Sequence, residues 1–313
     1  SVGPMHQYLS KPCETGTLKS ALTRSCDLRG ILADEKLQNL ISRIDSLPSL
    51  PSLYTEIVEE LQKPESSVKK VGRIISKDMG MSAKVLQLVN SAFFGVRQHI
   101  ANPDQAVTFL GLDLVKMLVL TIHVFSQFNK DKSGGELLDT LWNHSISVGA
   151  FAKKIAETEK AEQRDIDHAC MAGLLHDLGK LILSAKLSGK YGDVLSFASE
   201  EGVELASLES EMLGATHAEV GAYLLGLWGL SDPIVEALAF HHCPGKHQCD
   251  KFNPVTAVHA ADVLEHRLSA EEAVGATPEI DREYLAVLGL EERVPVWEDA
   301  CLSILKEQEK AAC

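Results

Sequence analysis

The sequence predicts an all-α protein, and three observations carry that expectation. Apolar residues return at spacings of three and four in most segments longer than ten residues. Strict two-residue alternation is nearly absent, and aromatic residues, which favour strands, make up only 5% of the chain. Polar starts and stops fall where helices would need them. The pattern places helices at about 36–45, 52–63, 67–77, 81–91, 103–110, 112–128 and 136–159. It continues at about 166–186, 190–201, 205–212, 217–228, 233–242, 254–268 and 295–311. "TGTLK" following Lys11-Pro12 opens a helix near the start, and Asn102 with Pro103 caps the one in "NPDQAVTFLGL". "THAE" at 216–219 is a capping box, with Thr216 as cap and Glu219 three residues on. "SDPIVEALAF" and "FNPVTAVHAADVLEH" each set a proline at the first helical turn. "VWEDACLSILKEQEK" is amphipathic, with Val296, Ala300, Ile304 and Leu305 near one face, a pattern that fits core or interface equally.

The 313 residues suffice for one large domain or two smaller ones. The polar, glycine-rich "DKSGGE" at 131–136 is the best internal boundary, and a weaker one lies at about 269–280, where the chain turns acidic. The organisation expected is a linker at 1–35, an N-terminal helical lobe at 36–130, a second lobe at 136–268 and a helical extension at 269–313. Lys+Arg 30 against Asp+Glu 44 gives a net charge of −14, with no dense basic run. That balance argues against nucleic acid, because phosphate-backbone affinity rests on clustered Lys and Arg. No apolar run is long enough to cross a bilayer. Seven singly scattered cysteines read as reduced thiols of a cytoplasmic protein.

The chemistry concentrates in "GLLHDLGKLIL", residues 173–183. At about 100° per residue, Met171, Leu174, Leu175, Leu178, Leu181 and Ile182 share one arc, while Gly173, His176, Asp177 and Lys180 fall opposite. A wet helix face accounts for that pattern, except that glycine has no reason to sit on one. His144 fits a core histidine or a ligand, and His217 fits a surface residue at a helix start or a ligand. His241 and His242 close a helix, where histidines are favoured by the dipole alone. Asp262 lies on an apolar-rich helix and needs a partner if buried. His259 and His266 read as its neighbours rather than ligands. "HHCPGKHQC" adds Cys243, His247 and Cys249, but its C-x5-C spacing departs from zinc patterns and reads as an exposed loop.

The order His144, His176-Asp177, His217, His241-His242, Asp262 resembles the ligand order of the HD superfamily of metal-dependent phosphohydrolases. That resemblance implies that His144, His176, Asp177 and Asp262 hold one metal, with His217, His241 and His242 as the extra ligands of two-metal members. Imidazoles and carboxylates suit Fe, Mn, Zn or Ni. Two such ions about 3.5–4 Å apart clamp a phosphodiester. Lys180, one turn after His176, is placed to meet a phosphate or to snorkel.

Upstream, "LPSLPSLYTEIVEELQKPESSVKKVGRIISKDMGMSAKVLQLVNSAFFG" (47–95) and "AVTFLGLDLVKMLVL" (106–120) resemble the HDOD domain, the HD-related output domain of bacterial signalling proteins. With the second half, the resemblance covers roughly 36–268. It implies a two-lobed helical fold with an HD-like bundle as the second lobe. It also implies signalling protein partners, with catalysis not general to the family. A nucleotide or phosphodiester ligand and a homodimer are compatible with it. No Gly-Tyr-Pro motif follows His241-His242, a departure from the cyclic di-GMP phosphodiesterase branch. "HQYLSKPCETGTLKSALTRSCDL" (6–28) resembles the end of a response-regulator receiver domain, which makes Lys11 the receiver-type, phosphate-contacting lysine. Two functions are carried forward: an output module acting by protein or ligand binding, and a working metal-dependent phosphohydrolase.

Overall fold

The computed structural model describes residues 30, 32–44, 47–94, 99–128, 135–269 and 274–312. Every regular element among them is helical. Lys11 and the receiver-like stretch 6–28 lie outside the described residues, as do 131–134 of the expected boundary.

The first helices are short and explicitly capped. Asp34 takes the Lys36 and Leu37 N–H groups at the start of α1 (Glu35–Ser42). After α2 (Ser52–Leu61), Ser67 and Asp78 cap α3 (Val68–Ser76) and α4 (Met79–Val89). Asn102 caps α5 (Pro103–Leu110) with Pro103 in its first turn, as its sequence predicts. Then comes α6 (Leu112–Phe128), apolar nearly all round because α2, α4 and α5 cover one side and a helix of the second half covers another.

The second half is α7 (Gly135–Thr158), α8 (Gln163–Leu175), α9 (Leu178–Lys186), α10 (Ser188–Glu201), α11 (Leu205–Met212), α12 (His217–Leu227), α13 (Asp232–Phe240) and α14 (Pro254–Leu268). The outermost elements are α15 (Arg282–Leu288) and α16 (Val294–Ala312). At its centre α7 and α8 pack together and α14 packs on both, while α12 bridges α9 and α13. The Thr216–Glu219 capping box forms as expected.

Two contacts require glycine. A Cβ on Gly173 would stand 2.8 Å from the Gly149 Cα, so α7 and α8 cross with backbones touching. A Cβ on Gly179 would stand 1.9 Å from the His217 carbonyl oxygen, which fixes α9 against the start of α12. Both glycines therefore serve close approach rather than a turn.

Three expectations are corrected. The continuous helix expected over 166–186 breaks at His176-Asp177, where Asp177 adopts φ −95° and ψ 11°. Helix α15 was hidden in a stretch without clear periodicity. The buried stripe of α16 is Trp297, Cys301 and Ile304, whereas Val296 is 39% exposed. The Trp297 ring drives that register, since its Nε1 donates to Glu159 Oε1 at 2.7 Å as α16 packs on α7. No helix among the described residues is long and apolar enough to cross a membrane.

Candidate metal centre

The break between α8 and α9 places His176 and Asp177 at the middle of the second half, 0% and 2% exposed. The wet-face reading of the wheel is thereby overturned. Both faces of the segment are buried, because α14 covers one end and α12 the other. His144 on α7, His217 at the start of α12, His241 at the end of α13 and Asp262 on α14 are likewise buried, and His242 lies partly so.

These seven side chains converge into two groups that share a wall. In the first, His144 Nε2 lies 3.1 Å from His176 Nε2 and 3.2 Å from Asp262 Oδ1. Asp177 Oδ2 is 3.6 Å from His144 Nε2 and 3.4 Å from His176 Nε2. In the second, Asp177 Oδ1 is 3.3 Å from His217 Nε2, which is 3.0 Å from His242 Nε2. One ligand atom from each of Asp177, His217, His241 and His242 fits within a 4.8 Å span, and the same holds for His144, His176 and Asp262. Asp177 thus turns one oxygen toward each group.

The outer hydrogen bonds decide which ring nitrogens face inward. The Nδ1 atoms of His176 and His241 donate to the Gly173 and Leu238 carbonyls, at 2.8 and 2.7 Å. His144 Nδ1 and His217 Nδ1 each meet a carboxylate at 2.6 Å, from Glu265 and Glu209. With all four Nδ1 atoms engaged outward, the Nε2 atoms are the ones aimed at the centre, the ring orientation that metal-ligating histidines use. Tyr191 donates to the other Glu209 oxygen at 2.7 Å and so holds that carboxylate in turn.

Electrostatics sort the groups further. Burial lowers His241 to about 3, so it is neutral and its Nε2 is a buried acceptor without a hydrogen-bond partner. Burial also presses His242 well below the usual imidazole range. It would lower His144 too, but Asp262, Glu265 and Asp177 outweigh it and raise the imidazole to about 10. His217 rises to about 9, because Glu209 and Asp177 overcome burial and the Lys180 charge. Asp177 and Asp262 stay ionised against burial, held down by the surrounding histidines and, for Asp177, by Lys180. The protons that His144 and His217 hold at Nε2 are what the two carboxylates draw in when no cation is there, so a bound cation would replace them, and the unpartnered His241 Nε2 is a buried atom it would satisfy. The residues present therefore fit a metal.

Lys180 does not stand free for a phosphate: its Nζ donates to Asp177 Oδ2 at 2.7 Å. It still lines a cavity, partly open to solvent, that reaches His144, Asp177, His217 and His242. His259 is a structural neighbour, as expected, binding the His241 carbonyl through Nδ1 and accepting the Asp281 N–H at Nε2. His266 stands 3.5 Å from Asp262 and, with His144 and Glu265, makes a third tight group of potential ligands. His247 corrects the expectation of an exposed loop. It is 3% exposed and faces Glu236 at 3.4 Å. Among the described residues, Cys243, His247 and Cys249 join no group of three ligand atoms. Glu209, Glu265 and Tyr191 were not foreseen. Glu265 alone had a signal, one helical turn after Asp262.

Fold and site together define a helical protein of HD type, with a His/Asp centre between two half-sites. The family is narrower: the model described as the HDOD domain matches residues 47–244, and the chain belongs to that family. A protein from Treponema pallidum with no assigned role is 28% identical over 204 residues, covering 65% of this chain and 39% of its own length. Bacillus subtilis YuxH is 32% identical over 63 residues, 20% of this chain and 15% of its own. The chain thus spans well under half the length of these curated relatives. An HDOD domain protein of Geobacter sulfurreducens superposes with TM-score 0.65 at 24% identity, over 91% of this chain and 99% of that one. A Shewanella amazonensis protein, whose name provisionally assigns it to the metal-dependent phosphohydrolases, gives 0.62 at 21%, over 90% and 99%. A Marinobacter aquaeolei protein, provisionally named for signal transduction, gives 0.58 at 18%, over 92% and 66%. At these identities the structural likenesses establish the fold.

Proposed function

We propose that this chain is a signal-transduction output module whose second lobe binds one or two divalent ions of Fe, Mn, Zn or Ni. The ligands in this reading are His144, His176, Asp177, His217, His241, His242 and Asp262. One observation carries it: four buried histidines have Nδ1 engaged elsewhere, and the Nε2 atoms of His144, His176 and His217 meet the carboxylates of Asp177 and Asp262. A purely structural cluster has no need to bury so many ionisable groups together, nor to leave His241 Nε2 unanswered, since both cost free energy. The mixture of imidazole and carboxylate without thiolate matches the metals named. The division into lobes at 36–130 and 136–268, with 269–313 as an extension, belongs to the same proposal. Output then proceeds by protein–protein contact or ligand binding. Membership of the HDOD family and the name of the Marinobacter protein support that role by analogy.

A second reading, hydrolysis of a phosphomonoester or phosphodiester, is favoured by the cavity that reaches both half-sites. When bound, such ions supply Lewis acidity toward a phosphoryl group and toward water. The chain's own part is to orient. Glu265 and Glu209 fix His144 and His217, and Lys180 holds Asp177 Oδ2 while facing the cavity.

Metal analysis of protein prepared anaerobically in metal-replete medium tests both readings, beside a His176→Ala/Asp177→Ala variant. One or two ions per chain are expected in the parent, with the variant at least about 100-fold weaker in affinity. A parent that retains no first-row metal sinks both readings. Metal-dependent turnover of nucleotides or generic phosphodiesters, lost in the variant, selects hydrolysis, and metal without turnover selects the binding module.

A further inference from the structure

A second cavity, of about 320 Å³ and partly open to solvent, lies between α4, α6 and α7, away from the histidine centre. Its walls are aromatic and aliphatic: Phe93, Phe125 and Trp142 with Leu88, Ile122 and Ile146. The Phe125 and Trp142 rings meet edge to face, 4.9 Å between centroids at 71°. Beneath, Leu88, Phe93 and Ile146 also line a narrower apolar recess that reaches Cys170 and Leu174, so the cavity has depth. Its rim is polar. Lys84 Nζ donates to Ser126 Oγ at 2.8 Å, and Gln87, Ser91 and Asn143 stand around it.

We infer that this interlobe cavity is a binding site for a small, planar, uncharged nitrogen heteroaromatic. Its volume lies in the range of small-molecule pockets, apolar inside with a few orienting polar groups. The three aromatic walls reward a flat ring system over a saturated body, because ring faces and edges pair specifically. The rim amides and hydroxyls both donate and accept, which suits the edge of a heterocycle. Among the described residues of the lining, Lys84 is the one cation and Asp139 the one carboxylate, a balance that favours neither a polyphosphate nor a polycation. The site also has a place in the molecule. Trp142 and Asn143 on α7 face it, while Thr140, Leu141 and His144 on the same two turns face the histidine cavity. An occupant therefore touches the helix that carries His144.

The test is saturation-transfer NMR on the full chain with adenine, lumazine and indole as probes, and cyclohexanecarboxamide and glucose as saturated controls. At least one heteroaromatic binds saturably in the expected result, and neither control does. Trp142→Ala and Ser126→Trp each weaken that binding by about ten-fold or more, the size of a lost stacking contact. Glu204→Trp, which adds bulk at the exposed rim of the histidine cavity, leaves it unchanged. Ser126→Trp adds bulk at a half-buried rim position, so the test stands even if Trp142→Ala fails to fold. The inference is overturned if no probe binds, if the saturated amide binds as well, or if Ser126→Trp keeps full affinity. Loss in Glu204→Trp also overturns it, by moving the binding to the histidine cavity.

Discussion

The helices before residue 129 and those after residue 135 bury polar groups in different ways. Among the described residues, α1–α6 bury two polar side chains, Glu60 and Thr121. Both are answered nearby, Glu60 by Lys63 and Lys70 and Thr121 by the Met117 carbonyl. The second half buries His144, His176, Asp177, Glu209, His217 and Asp262 among others. Several of their partners come from far along the chain: His144 and Glu265 are 121 residues apart. An apolar core needs only volume and pattern to be right. A buried polar centre needs every partner in place, since each unanswered group costs roughly 1–3 kcal/mol. The first half keeps its core apolar, and the second carries a polar centre whose burial its partners must offset.

Removing the shared carboxylate is the sharpest way to break that contrast. Asp177→Ala takes one oxygen from each half-site. Its metal affinity, measured by competition with a chromogenic chelator, should fall by more than the about 10–100-fold expected for outer-shell losses. Glu209→Gln comes next, at about 10–100-fold, because the neutral amide still reaches His217 but no longer fixes its tautomer. A Glu209→Gln variant that binds metal like the parent would show that this carboxylate is only structural. In the first half, Leu118→Ala removes a fully buried side chain from α6. Chemical denaturation should show a loss of about 2–5 kcal/mol. Metal bound per folded molecule should not change, and a coupled loss would erase the distinction between the halves.

The legibility of the sequence divides along the same line. Caps at Asn102 and Thr216, and helices such as 112–128, could be read because their signals are local. The order of His144, His176-Asp177, His217, His241-His242 and Asp262 was legible through its resemblance to a family pattern, and the fold brings these residues together. The break at His176-Asp177 was not legible. A wheel drawn through an apolar run assumes one continuous helix, whereas here Asp177 leaves the helix to stand between two half-sites. Glu209 and Tyr191 escaped for a different reason. Each lies on an ordinary amphipathic stretch, and only the packing of α10 on α11 and of α11 on the start of α12 gives them their partners. The stripe of α16 was misplaced by one residue because Trp297 was not weighed as an anchor.

The smallest expected effects come from a matched pair of glycines, one in each half. A methyl at Gly179 would meet the His217 backbone oxygen at 1.9 Å, and a methyl at Gly72 would meet Asp104 Oδ1 at 1.8 Å. The distances are alike, but the obstacles differ. Asp104 is a short, partly exposed side chain whose carboxylate can swing away, which leaves its Cα at 3.0 Å as the remaining tight contact, and alanine improves helix propensity over glycine by about 1 kcal/mol. Gly72→Ala should therefore change stability by less than about 1 kcal/mol. The His217 carbonyl belongs to the first turn of α12 and cannot rotate aside. Relief there requires α9 and α12 to separate, at about 1–3 kcal/mol. The same movement draws His217 from Asp177, so metal affinity should fall with stability in Gly179→Ala alone. Denaturation curves and chelator competition on the two variants read both quantities. Equal costs, or a Gly179→Ala protein that keeps its metal affinity, would mean that the α9–α12 contact does not set the geometry of the second half-site.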